Sequence, residues 1–353
     1  PSIGTIAGIG TWLSLVLKDA FALVGMSAYL VLILDFNGKA MALVLIAFFT
    51  FVNVVGSKVS GSIQLFLVVF VLTVMTWFLT EGLFETQKQG INKSNLDPFF
   101  TEGFSGLISV IGLVFVSYGG LTKVASAAEE VDDPSLKIPL GMSLSLLVGT
   151  VLYTLGALVA VALLPPDILH EDLAPIHSAA ETVLPSAGVA LVVLAALAAF
   201  ASAVNAGILA AARYPMAMAR DGLFPEVAGR LSRYGTPAFG VIVTGVAIAL
   251  VVLLLDAEAI AKLASAFVLL TLGLLNIAVL VLRASHIQSY APAFKAPLYP
   301  LTQFIGIIIS VFLIFQLGAT AMLFVVFVFV AGWTWHRLYA SGKSKRAGAI
   351  RQV

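Results

Sequence analysis

Ten apolar runs follow one another along this chain, at about 6–34, 40–55, 62–80, 104–126, 139–163, 187–212, 237–255, 258–282, 300–316 and 319–336. Roughly 20 helical residues, rising about 1.5 Å each, cross a hydrocarbon core of about 30 Å. Runs of this length, repeated from end to end and without strand-like alternation, predict membrane-spanning helices. Composition agrees. Of the 353 residues 60% are apolar and 10% charged, against about 45–50% and about 25% in a soluble domain. A water-soluble enzyme is nearly excluded, because so few polar residues could not cover its core. The longest gaps between runs, 81–103 and 164–186, hold no soluble domain. The expected fold class is an all-α polytopic membrane protein, a single transmembrane domain over 1–353 with a basic tail at 337–353.

Charge sets the orientation. Lys39, Lys88, Lys93 and Lys262 fall in one alternate set of gaps, and fourteen Lys and Arg fall in the other. Cytoplasmic loops carry the excess of Lys and Arg. The expectation is a multi-pass protein of the cell membrane with both termini in the cytoplasm. The 164–186 gap, which lacks Lys and Arg but carries Asp167, Glu171, Asp172 and Glu181, then lies outside.

Several kinds of chemistry are missing. There is no Cys, so disulfides and thiolate metal sites are excluded. There is no HExxH, and the four His lie in gaps or at run ends. Gly342-Lys343-Ser344 lacks the first Gly of a phosphate loop, since Arg337 stands in its place. No catalytic residues, metal or cofactor are expected. A net charge of +1 and the lack of a basic block other than the tail give no sign of a nucleic-acid partner.

The fourth run is unlike the rest. Its unbroken apolar part, Phe104 to Val116, is too short to cross a bilayer as helix. It meets Ser117-Tyr118-Gly119-Gly120, then continues as the more polar Leu121 to Ala128 and ends at Glu129-Glu130, ahead of Pro134 and Pro139. Adjacent glycines weaken a helix. A helix that opens in lipid frees N–H and C=O groups, which is tolerated where the backbone lines a cavity or meets a ligand. That is the half-helix device of secondary transporters. The alternative is that Gly119-Gly120 only permits tight helix packing.

Three stretches together resemble the amino acid–polyamine–organocation superfamily of permeases. Tyr118-Gly119-Gly120 with Glu129-Glu130, Pro134 and Ile138-Pro139 is similar to the family's sixth helix and the connector after it. Ser202, Asn205, Ala206 and Arg213, followed by Met218-Ala219-Arg220-Asp221-Gly222-Leu223-Phe224-Pro225 and Thr236-Pro237, resemble its eighth helix and exit. Asn53-Val54-Val55-Gly56-Ser57-Lys58 with Gly61 is similar to the turn between its fourth and fifth helices. The resemblance implies a LeuT-type inverted-repeat fold of which ten of twelve helices are present. The chain would hold family helices three to twelve, with helices one and two preceding residue 1.

It further implies a secondary active transporter that moves amino acids or related amines by alternating access. The partners would be a small-molecule amino acid, the lipid bilayer and a coupling ion, with the proton as candidate. The alternative is a truncated, non-transporting remnant of such a permease. The substrate-binding backbone falls on Ser117, Tyr118, Gly119 and Gly120. The family's aromatic gate position falls on Val116, a departure that leaves Phe115 or Tyr118 to serve instead. A fifth-helix Lys that some members use in coupling has no counterpart here; its position falls near Val71.

Four further residues are candidates for coupling or for lining the cavity. Lys18 and Asp19 lie near the middle of the first run, and an ionisable residue there is a functional hypothesis by default. As neighbours on a helix they diverge by about 100°. A Lys so placed would exchange a proton as the cavity opens to each side; the alternative is static pairing within the bundle. Ser202 and Asn205 share a helix face. They either line the cavity or hydrogen-bond between helices.

Overall fold

The computed structural model describes residues 2–56, 61–90, 103–120, 131–285, 292, 294–341 and 343. Four sequence motifs fall wholly or partly outside them: Ser57-Lys58, Leu121 to Glu130, Gly342-Lys343-Ser344, and most of the basic tail. The described chain is all-helical. In order the helices are α1 (Ser2–Val31), α2 (Gly38–Val55), α3 (Gly61–Gln89), α4 (Gly103–Val114), α5 (Pro134–Leu163), α6 (Pro166–Glu171), α7 (Pro175–Val183), α8 (Ser186–Arg220), α9 (Ala238–Leu254), α10 (Ala257–Ala284), α11 (Leu301–Gln316) and α12 (Ala319–Trp335). Seven of these are long and apolar enough to cross a membrane, and the helices over Gly103–Tyr118, Ala238–Leu254 and Leu301–Gln316 are shorter apolar segments. Nine of the ten expected runs are helical over most of their length, and the described part of the fourth, to Tyr118, is helical.

Differences lie at the ends and in one gap. α3 continues past its apolar run through Glu81–Gln89, where Glu, Gln, Lys and Leu are good helix formers that need no lipid. α8 likewise runs on to Arg220 with Pro215 inside it. The 164–186 gap holds two short helices that hydropathy did not indicate. Each has a Pro in its first turn, where the missing N–H costs nothing. Asp172 fixes the second of them, accepting from the Ala174 N–H at 2.6 Å and from the Ser178 hydroxyl at 2.6 Å. α7 then buries Ala179 and Ala180 in the cluster formed by Val74, Phe78, Val159 and Val192.

α1 is the hub, packed on α2, α8, α9, α10 and α12. Its buried Val16, Ala20, Leu23 and Met26 meet Ile46 and Phe49 of α2, Val204 and Ile208 of α8, and Val241 and Ile248 of α9. The α1–α8 approach is close. An added Cβ on Gly207 of α8 would stand 1.8 Å from Asp19 Oδ1. The outer surface remains apolar, with Leu323, Val326, Phe327 and Val330 of α12 exposed, as lipid-facing positions require.

Candidate functional site

The fourth run does break. α4 ends at Val114, a 3-10 turn covers Phe115–Tyr118, and Gly119-Gly120 forms a non-helical turn. The 3-10 form is a tighter winding that persists only in short pieces. Within it the Gly119 N–H donates to Val116 O at 3.1 Å. The change of winding strands backbone groups of the preceding helix, and neighbouring helices take them up.

Three helices reach in. From α1, Lys18 Nζ donates to Gly119 O at 3.0 Å. From α10, the Ser265 hydroxyl donates to Leu113 O at 2.5 Å and accepts from the Val116 N–H at 3.0 Å. From α5, the Tyr153 hydroxyl donates to Ser117 O at 3.4 Å. Tyr153 also sets its ring edge-on to Tyr118, with centroids 5.5 Å apart at 71°, and the Tyr118 hydroxyl bonds Thr150 Oγ1 at 3.3 Å. Backbone carbonyls held by side chains meet the requirement that buried polar groups find partners.

The two glycines are not equivalent. A Cβ on Gly119 would meet Lys18 Cε at 2.7 Å and Cδ at 2.9 Å, and Val116 O at 3.0 Å. Its backbone, at φ −62° and ψ −11°, would accept any residue. At Gly119 the close approach of the Lys18 stem and of Val116 O, and not the conformation, leaves little room for a Cβ. Gly120 has nothing within 4 Å among the described residues.

Of the remaining candidates, Phe115 packs on the cluster of Ala266, Leu269 and Leu313, and Val116 on that of Leu17, Leu263 and Phe267. Lys18 and Asp19 diverge as helical neighbours should: Lys18 meets the break, and Asp19, 1% exposed, lies against α8 at Gly207. Asn205 Oδ1 accepts from Asn53 Nδ2 at 3.0 Å, tying α8 to α2, while Ser202 is half-buried on the same helix. Asn53 Nδ2 also donates to Phe49 O at 2.9 Å. Two motifs distant in sequence meet here, since Thr236 Oγ1 donates to Val54 O at 2.7 Å beside the Gly56 turn.

Sequence reasoning missed Ser265, Thr150 and Tyr153. Their only signal was a hydroxyl in an otherwise apolar run, which is common in membrane helices. Among the described residues no group of three His, Asp or Glu side chains comes together to hold a metal.

Comparison with known proteins fits this geometry. The family model described as amino acid permease matches residues 1–340. The chain is similar to the branched-chain amino acid permease BcaP of Bacillus subtilis, 28% identical over 86% of this chain and 64% of the relative. It is similar to the vacuolar cationic amino acid transporter 2 of Arabidopsis thaliana, 34% identical over 57% of this chain and 31% of the relative. It is similar also to the methylthioribose transporter of Bacillus subtilis, 29% identical over 68% of this chain and 52% of the relative. The chain thus spans between about a third and two thirds of the length of these relatives. A family match that covers nearly all of the sequence, together with a multi-pass helical fold opened at Gly119-Gly120, means that this chain belongs to the amino acid permease family.

Proposed function

We propose that the protein is a secondary active transporter that carries amino acids or related amines across the cell membrane by alternating access. The broken segment is its substrate site. The single observation that carries this is the change of winding at Phe115–Gly120, where side chains from α1, α5 and α10 bond the backbone. Peptide N–H and C=O groups at a helix break suit a zwitterion, offering donors to a carboxylate and acceptors to an ammonium. Ser117, Tyr118, Gly119 and Gly120 contact the substrate, and Phe115 and Val116 close over it. No enzymatic step belongs to this reading.

Lys18 is the coupling residue. It is a cation near the middle of a membrane helix, bonded to a carbonyl of the substrate segment, so loading the site and charging Lys18 are linked through one oxygen. The proton is the coupling ion. Asp19, Ser202 and Asn205 support the wall behind it on α1 and α8. Both termini lie in the cytoplasm, a reading supported by the fourteen-to-four distribution of Lys and Arg. The relatives' names support amino acids as the substrate class, and no observation favours the non-transporting alternative.

The test is uptake into proteoliposomes by the full-length gene product, with a panel of isotope-labelled amino acids plus methylthioribose, at two pH values. Saturable uptake of one amino acid class, faster with an inward proton gradient, is expected. Failure of every compound to accumulate would overturn the proposal. Uptake indifferent to the proton gradient would remove the coupling role of Lys18 alone.

A further inference from the structure

Ser265 occupies an unusual position. It is fully buried, and it is the one polar side chain among the buried residues of α10. Ala266 and Leu269 beside it pack towards Leu113 and Phe115, while Leu263, Ala264 and Phe267 pack towards Val116. Its hydroxyl therefore enters the break between two apolar contacts. In a continuous helix Leu113 O would accept from Ser117 N–H, and Val116 N–H would donate to Gly112 O. Here one oxygen on another helix bonds both groups, at 2.5 Å and 3.0 Å. A hydroxyl has one proton to donate and lone pairs to accept with. Ser265 uses one of each, and so splices α10 into the hydrogen-bond ladder where α winding becomes 3-10 winding.

We infer that Ser265 is a positioning residue for substrate binding, the side chain that keeps the break open. This rests on the reading of Phe115–Gly120 as the substrate site. Without the hydroxyl, Leu113 O and Val116 N–H lose this shared partner together. The tightly wound segment that presents Ser117–Gly119 is then no longer held to α10, and substrate affinity falls with it. A shift of α10 against α4 would act on the site through the same oxygen.

The experiment compares Ser265→Ala, Ser265→Thr and wild type in the full-length protein, reading hydrogen–deuterium exchange over the 113–120 peptide, and KM and maximal rate of uptake. In Ser265→Ala, exchange over that peptide is expected to accelerate about tenfold or more and KM to rise by about tenfold, the effect of one lost buried hydrogen bond. Maximal rate should change far less. Ser265→Thr, which keeps the hydroxyl, should restore both readings. Unchanged or slower exchange in Ser265→Ala would overturn the inference, as would faster exchange with KM unmoved, since that is the mark of a purely structural serine. If Ser265→Ala does not reach the membrane, Ser265→Cys, a weaker donor and acceptor of similar size, is read by the same criteria. The substrate-site reading has its own test in substrate protection of a Cys at position 117. Protection there with a silent Ser265 variant would refute this inference and leave that reading standing.

Discussion

Replacing Gly119 by Ala adds one methyl group at the point where Lys18 crosses the broken segment. The backbone there accepts Ala without strain, at φ −62° and ψ −11°. The methyl carbon would stand 2.7 Å from Lys18 Cε and 2.9 Å from Cδ, inside van der Waals contact. The Lys stem is flexible, so it is the part that yields, and as it swings away Nζ leaves Gly119 O, now 3.0 Å distant. A hydrogen bond to a charged group contributes about 1.5–3 kcal/mol, and its loss corresponds to about a tenfold to 150-fold change in an equilibrium constant. Gly141→Ala on α5, outside the site, is the matched control, because nothing lies within 4 Å of that position among the described residues. The assay is uptake into proteoliposomes with KM read at several pH values. Gly119→Ala should raise KM by tenfold or more, of the order of one lost charged hydrogen bond, and flatten the pH dependence. Gly141→Ala should remain within about threefold of wild type, well under the tenfold that 1.4 kcal/mol represents. Equal damage from both substitutions, or none from Gly119→Ala, would refute the reasoning that Lys18 and Gly119 form one unit.

Other outcomes follow from the same geometry. Lys18→Met should abolish the pH dependence of transport, and a variant with the wild-type pH profile would reduce Lys18 to a packing role. Gly207→Ala should destabilise the protein by about 1–3 kcal/mol or more, because its methyl would press on Asp19 Oδ1, whereas Gly4→Ala, with open space around it, should be neutral in a thermal unfolding assay. A double-mutant cycle on Asn53→Ala and Asn205→Ala should return a coupling of about 0.6 kcal/mol, up to about 1.7, as for other interhelical hydrogen bonds in membranes. In this Cys-free chain, His170→Cys should label from outside and Ser341→Cys only from inside; the reverse would invert the topology.

The helices were legible because lipid leaves the backbone so little choice. An apolar run long enough to cross is a helix, and the ten runs follow from that alone. The break at Ser117–Gly120 was legible for a related reason, since a 13-residue apolar stretch before two glycines cannot cross as it stands. What hydropathy could not convey was amphipathic or polar structure outside the bilayer. α6 and α7 bury only small faces, and the Glu81–Gln89 end of α3 carries no apolar signal. Within the site, the sequence could offer Lys18 and Asp19 only as a pair of neighbours. Which of them meets the break depends on the rotation of α1 against α8, fixed by the close approach at Gly207. Nor could it distinguish Gly119 from Gly120, because the close approach at Gly119 includes a side chain 101 positions away. Ser265 was invisible for the same reason: one hydroxyl among alanines and leucines acquires a role only when α10 lies beside the break.

The most direct test of the central claim is substrate protection at Ser117. A single Cys placed there by Ser117→Cys, in a chain with no other thiol, would sit on an exposed position of the break. Its rate of alkylation by a small maleimide should fall as the transported amino acid is added, with half-maximal protection near the KM of uptake. An alkylation rate unchanged by saturating substrate, in a variant that still transports, would contradict the placement of the site.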